Sequence, residues 1–277
     1  MNATTIQTHK TLAQQYHDSK DVEASRSHHQ SGKPLEEAHG TSGDIIKSVV
    51  LGGLDGIITT FAIVCAVEGS NELGSKVVIM MGIANLVADA ISMGLGDYLS
   101  EKAENDYVAK EQAREKWEMD NFLEGEISEM ADIYVEKGFA RDDALEILNK
   151  MVMNRQFFLE HMMVEELGFM PVDPDANPAK KGAVTFVSFM TFGSVPLIAY
   201  IGLYDTMEKN EVFLISTGAV GATLFGLGCL KAKLIQAKGW DIVKSGGETL
   251  GLGGIACSMS YLIGWGLEKI LDVTGCN

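Results

Sequence analysis

The stretch GAVTFVSFMTFGSVPLIAYIGLY, residues 182–204, runs for 23 residues without a charged side chain. A soluble amphipathic helix turns one polar face to water, and this segment has none to turn. Crossing the hydrocarbon core of a bilayer takes about 20 apolar helical residues, so the stretch reads as a membrane span. Four further blocks approach or reach that length: Ser48–Val67, Val77–Gly96, Val212–Leu230 and Thr249–Leu267. The last two are also free of charge. Together the blocks predict an all-α, polytopic membrane protein with five transmembrane helices. The near-neutral mean hydropathy of the whole chain hides this, because its apolar residues are gathered into blocks.

Working outward, the chain divides into a polar tail over residues 1–43, transmembrane helices 1 and 2 over 44–99, an insert over 100–181, and helices 3 to 5 over 182–277. The tail holds most of the six histidines. Its low hydrophobicity cannot offset chain entropy, so a disordered segment with transient helix is expected there. It lacks the basic, apolar and small-residue order of a signal peptide. His28-His29 could hold a metal weakly, but an ordinary solvated tail is the simpler reading.

Basic residues in short loops set membrane orientation. The insert carries ten Lys/Arg, and the loop after the fourth block carries Lys231, Lys233, Lys238 and Lys244. The loops 68–76 and 205–211 hold one lysine each. This places the N-terminus and the insert in the cytosol and the C-terminus across the membrane. Cys65, Cys229, Cys257 and Cys276 are scattered, with no CxxC spacing, and support neither a zinc knuckle nor a disulfide framework. The net charge of −16 disfavours a nucleic-acid partner and suits cations.

Within the insert, the helix of the second block is expected to run on to about Glu118 and to break near Asn121 or Gly125. A second helix is predicted over about Glu126 to Lys137, with Gly138 as its C-cap. A third is predicted from Arg141 to Leu167, before Gly168 and Pro171. The result is a small cytosolic three-helix bundle between transmembrane helices 2 and 3.

Two membrane blocks carry chemistry. Asp55 lies eight residues past Lys47, and a carboxylate at that depth costs about 2.5 to 3.5 kcal/mol, so it should face a cavity or a partner. In the second block Asn85, Asp89, Met93 and Asp97 recur at i+4 along one slowly winding face. Such a stripe can line a path in which carboxylates attract a divalent ion and sulfur favours a softer transition metal. Taken alone, Met93 fits core packing equally well. Glycines in the first, fourth and fifth blocks fit close helix packing or a dimer interface, and Pro196 predicts a kink in the third.

The insert adds a second set of candidate ligands. Glu115 and Glu118, Glu126 and Glu129, and Met162 or Met163 with Glu166 each share a helix face. Carboxylates suit Fe²⁺, Mn²⁺ and Zn²⁺ alike, and the thioethers tilt selection away from the alkaline earths. Single ExxE pairs are commonly just solvated faces; two pairs with Met-Met-x-x-Glu are more informative. His161 stands beside them, but Phe158 occupies the position that a Glu-x-x-His di-iron motif would need, so His161 is not expected to ligate.

On these residues the chain resembles the vacuolar iron transporter family over about Asp44 to Leu271. The carrying motifs are Gly53-Leu-Asp55-Gly-Ile-Ile-Thr-Thr-Phe61 and Ala90-Ile-Ser-Met93-Gly-Leu-Gly-Asp97-Tyr-Leu-Ser100. The resemblance implies a homodimer of five-helix protomers, with an ion path at the dimer interface lined by the first two helices. It also implies exchange of Fe²⁺ for H⁺ into a vacuole or similar acidic organelle. Asp55 and Met93 match the family's pore carboxylate and methionine. Glu115, Glu118, Glu126, Glu129, Met162, Met163 and Glu166 reproduce the spacing of its cytosolic metal-binding domain. The chain departs from the pattern at Asp89, where a small residue is usual, and at Asp97, where glutamate is.

The leading expectation is therefore a transporter, not an enzyme, that carries Fe²⁺ as cargo and needs no prosthetic group. Its partners would be divalent ions, protons, the bilayer and a second copy of itself. The alternative is a membrane-anchored iron-storing or ferroxidase bundle, against which the missing Glu-x-x-His and the intramembrane carboxylates argue.

Overall fold

The computed structural model describes residues 19–30, 42–70, 74–170, 177–203, 206–234, 237 and 239–274. The chain forms two units, Met1–Ile45 and Ile46–Asn277. In the first, helix α1 spans Val22–Gln30. The Asp21 carboxylate accepts the Ala24 N–H at 2.9 Å and so caps it. Most of the polar tail, and the side chains of His28 and His29, lie outside the described residues.

Regular structure in the second unit is helical throughout the described residues. Helix α2 covers Ser42–Gly69, and α3 covers Ser75–Asn121 without interruption. At 1.5 Å per residue α3 is about 70 Å long, more than twice the hydrocarbon thickness of a bilayer. Its N-terminal half is apolar and its C-terminal half is charged, so the latter must project from any membrane the former crosses. Three shorter helices pack on that projection: α4 (Leu123–Glu136), α5 (Arg141–Met151) and α6 (Arg155–Glu165). The chain then returns through α7 (Pro178–Gly193), α8 (Val195–Leu203), α9 (Lys209–Leu234) and α10 (Trp240–Thr274).

Four helices are long and apolar enough to cross a membrane, and α7 with α8 makes a fifth span if the bent pair is counted as one. The bend of 42° falls at Ser194, just ahead of Pro196, as a proline in that position dictates. Ile57, Val64, Phe189, Leu197 and Tyr200 are fully or almost fully buried at the centre of these helices. Gly56 permits a close approach of α2 to α7, since a Cβ there would stand 2.6 Å from the Phe189 carbonyl oxygen. Gly228 does the same for α9 against the Ser245 carbonyl of α10, also at 2.6 Å. Gly218, Gly226, Gly247, Gly251 and Gly254, in contrast, have nothing within 4 Å of a Cβ among the described residues.

Two expectations need correction. The single helix predicted over Arg141 to Leu167 is broken into α5 and α6, because Asn154 takes the N-cap position and accepts the Phe157 N–H at 3.2 Å. The cysteines are not all unpaired: Cys65 on α2 and Cys257 on α10 form a disulfide with Cα atoms 5.6 Å apart. Their separation of 192 residues leaves no spacing signal, and only the packing of α10 on α2 brings them together.

A second core, of Met119, Met130, Leu148, Phe158 and Met162, holds α4, α5 and α6 to the projecting end of α3. Gly138, with φ of +101°, ends α4 in the left-handed conformation expected of a C-cap glycine.

Candidate metal centre and ion path

The C-terminal half of α3 carries Glu115 and Glu118 on one face, and the first turn of α4 brings Glu126 against them. One carboxylate oxygen from each of the three lies within 4.8 Å of the others. Glu115 is 1% exposed and Glu126 7%, an unusual depth for acidic groups. Glu166, just past the end of α6, is partly buried and feels the charges of Glu115, Glu129, Glu126 and Glu118. Met162 and Met163 are fully buried on the same helix. Glu129 reaches the group electrostatically but lies exposed, outside the close trio.

Crowding of like charges away from water has a consequence for protonation. Burial, then the charges of Glu115, Glu118 and Glu129, push Glu126 up to about 7. Burial, then Glu115, Glu129, Glu126 and Glu118, push Glu166 up to about 7. Oε2 of Glu115 and Oε2 of Glu166 are buried with no hydrogen-bond partner. Such orphaned oxygens are costly unless a cation meets them. A divalent ion bound among Glu115, Glu118 and Glu126 would need their ionised forms and so displace protons; Met162 and Met163 are buried on the neighbouring helix, and thioethers suit a softer metal.

The neighbouring polar groups are already engaged. Tyr134 hydroxyl and His161 Nε2 lie 2.7 Å apart, and the His161 ring stacks on Phe157. Burial, then the nearby Lys137 charge, lowers the pKa of His161. Arg114 donates from Nη2 to Glu115 Oε1 at 2.7 Å and pairs with Glu111 at 2.6 Å. Sequence reasoning missed Arg114, although the Glu111 and Glu118 spacings to it are ordinary i, i+3 and i, i+4 helix pairs.

In the apolar helices, Asp55 on α2 and Asp89 on α3 are each half-buried, and their charges are close enough to interact. Asn85 donates to Asp89 from one turn earlier. Met93 lines a cavity of about 220 Å³ with Leu51, Ser92, Gly96, Asp97, Ser100 and Thr185. Asp97 accepts from Thr185 of α7 at 2.5 Å and from Ser48 of α2 at 3.3 Å, so it also ties three helices together. Asp55 and Asp89 do not line that cavity.

The profile of the VIT family matches residues 46–265. The chain belongs to the VIT family. Relatives extend over most of its length. A vacuolar iron transporter of Toxoplasma gondii is 40% identical over 91% of this chain and 86% of its own. One of Plasmodium falciparum is 38% identical, covering 83% of this chain and 87% of its own. Vacuolar iron transporter 1 of Arabidopsis thaliana is 32% identical over 82% and 88%. The matched region of this VIT-family chain takes in both the buried carboxylate cluster and the helices bearing Asp55, Asp89 and Met93.

Proposed function

We propose that this VIT-family protein carries Fe²⁺ from the cytosol into a vacuole or similar acidic organelle in exchange for protons. It acts as a transporter and not as an enzyme. The observation that carries the reading is the pair of buried, unpartnered carboxylate oxygens on Glu115 and Glu166, beside Glu118, Glu126 and two buried methionines. The names of the relatives from Toxoplasma and Plasmodium supply the cargo, iron, and the compartment, a vacuole.

In this reading residues 100–181 form the cytosolic metal-binding domain between transmembrane regions 44–99 and 182–277. The bent α7–α8 pair counts as one of five spans. The N-terminus is cytosolic and the C-terminus lumenal. Glu115, Glu118, Glu126, Glu129, Met162, Met163 and Glu166 collect the metal, with Zn²⁺ and Mn²⁺ suited to the same donors. Two copies pair along α2 and α3, and the ion passes Met93, Asp89 and Asp55 between them. The outward row of Ile83, Val87, Ile91 and Leu95 on α3 supports such pairing, since each is well exposed in the single chain. A ferroxidase bundle fits less well, because the histidine beside the cluster is taken up by Tyr134.

Metal flux into proteoliposomes with an acidic interior tests the proposal. Uptake of Fe²⁺ that collapses with the pH gradient supports it. Oxygen consumption on Fe²⁺ addition without accumulation would favour the ferroxidase instead.

A further inference from the structure

The geometry points to Arg114 as the residue that limits Glu115 to one metal-binding oxygen and thereby discriminates against Ca²⁺. This rests on the reading of the insert as a metal centre. Nη2 and Nε of Arg114 both donate to Oε1 of Glu115, at 2.7 and 3.3 Å. Nη1 is held by Glu111 at 2.6 Å, and Nε stands 4.0 Å from Glu118. The guanidinium is therefore fixed from two sides and cannot easily leave Oε1. The other oxygen of Glu115, buried and unpartnered, is the one free for a cation.

Oε1 has two lone pairs and already accepts two guanidinium N–H groups, so ligation of one cation through both oxygens would have to displace at least one of those bonds. Ca²⁺ takes about six to eight oxygens, with carboxylates often supplying two each, so it loses most from that restriction. Zn²⁺ is content with about four ligands, and the transition metals gain from the buried sulfur that Ca²⁺ ignores. Arg114 is thus a positioning residue whose effect is on choice of metal more than on strength of binding. Lysine at the same place would keep the charge but, as a single compact ammonium, would hold Oε1 less firmly.

The test uses the full-length protein in detergent, with Zn²⁺ and Ca²⁺ titrated separately by calorimetry at one pH. Arg114 is half-exposed, so R114Q should fold, which the metal-free thermal midpoint checks. The ratio of Ca²⁺ to Zn²⁺ affinity is expected to rise about tenfold in R114Q, the scale of one charge-assisted hydrogen bond, and to fall between the two in R114K. A parallel rise of both affinities would mean that Arg114 acts by charge alone and would overturn the inference. A parallel fall, or no change, would do so too. If the unaltered protein binds no Zn²⁺, the metal-centre reading fails and this inference with it. Zn²⁺ binding with an unmoved ratio sinks this inference alone.

Discussion

Glu126 and Glu166 carry the sharpest consequence of burial. Both are raised from 4.5 to about 7 in the folded chain. Between those values the folded, metal-free protein holds protons that the unfolded chain has lost. Its stability therefore declines as pH rises through that window, and bound metal, which needs the ionised ligands, reverses the trend. Calorimetry should show Zn²⁺ affinity rising from about pH 5.5 to about pH 7.5, with proton release read from buffers of different ionisation enthalpy. Glu126→Gln should remove part of the release; affinity flat across that range would count against both groups as ligands. Glu115→Gln should weaken Zn²⁺ binding by tenfold or more, roughly the scale seen when metal-site groups are altered. The i, i+3 pairs behind these expectations were legible in the sequence because helix geometry alone puts them on one face. Arg114 was not, since its contact with the adjacent Glu115 depends on how deeply that side chain is drawn into the cluster.

Elements were read well where one period ran uninterrupted. The apolar blocks, the bend before Pro196 and the end of α4 at Gly138 all follow from local chemistry. The split between α5 and α6 was missed because the apolar spacing continues across it, and Asn154 was not read as a cap. Asn154→Ala should cost about 1 kcal/mol, measurable as a lower urea midpoint for unfolding of the α4–α6 region. The Cys65–Cys257 pair lay beyond sequence reasoning, because it depends on tertiary packing of α10 against α2. Removing either cysteine should lower stability by about 2–4 kcal/mol, and removing both should cost no more than removing one. Additive losses in thermal melts would mean that the two thiols act separately.

At the scale of the whole molecule, a long helix joins two environments. α3 carries Asp89 and Met93 in its apolar half and Glu115 and Glu118 in its charged half, so one continuous element joins the two candidate sites. Family membership was legible from the Asp55 and Met93 motifs, which sit at positions where an inert anchor would be purely apolar. The proposed pairing of two copies rests mainly on the resemblance, because the glycine pattern and the outward apolar face of α3 permit it but suit other packing, or lipid, as well. The central claim is that the carboxylates within the membrane carry the ion. It is tested most directly by Fe²⁺ flux into acidic proteoliposomes containing either the unaltered chain or Asp55→Ala, each checked for folding and oligomeric state. The account predicts gradient-dependent uptake by the first and none by the second, with fold and assembly unchanged; uptake by Asp55→Ala equal to that of the unaltered chain would contradict it.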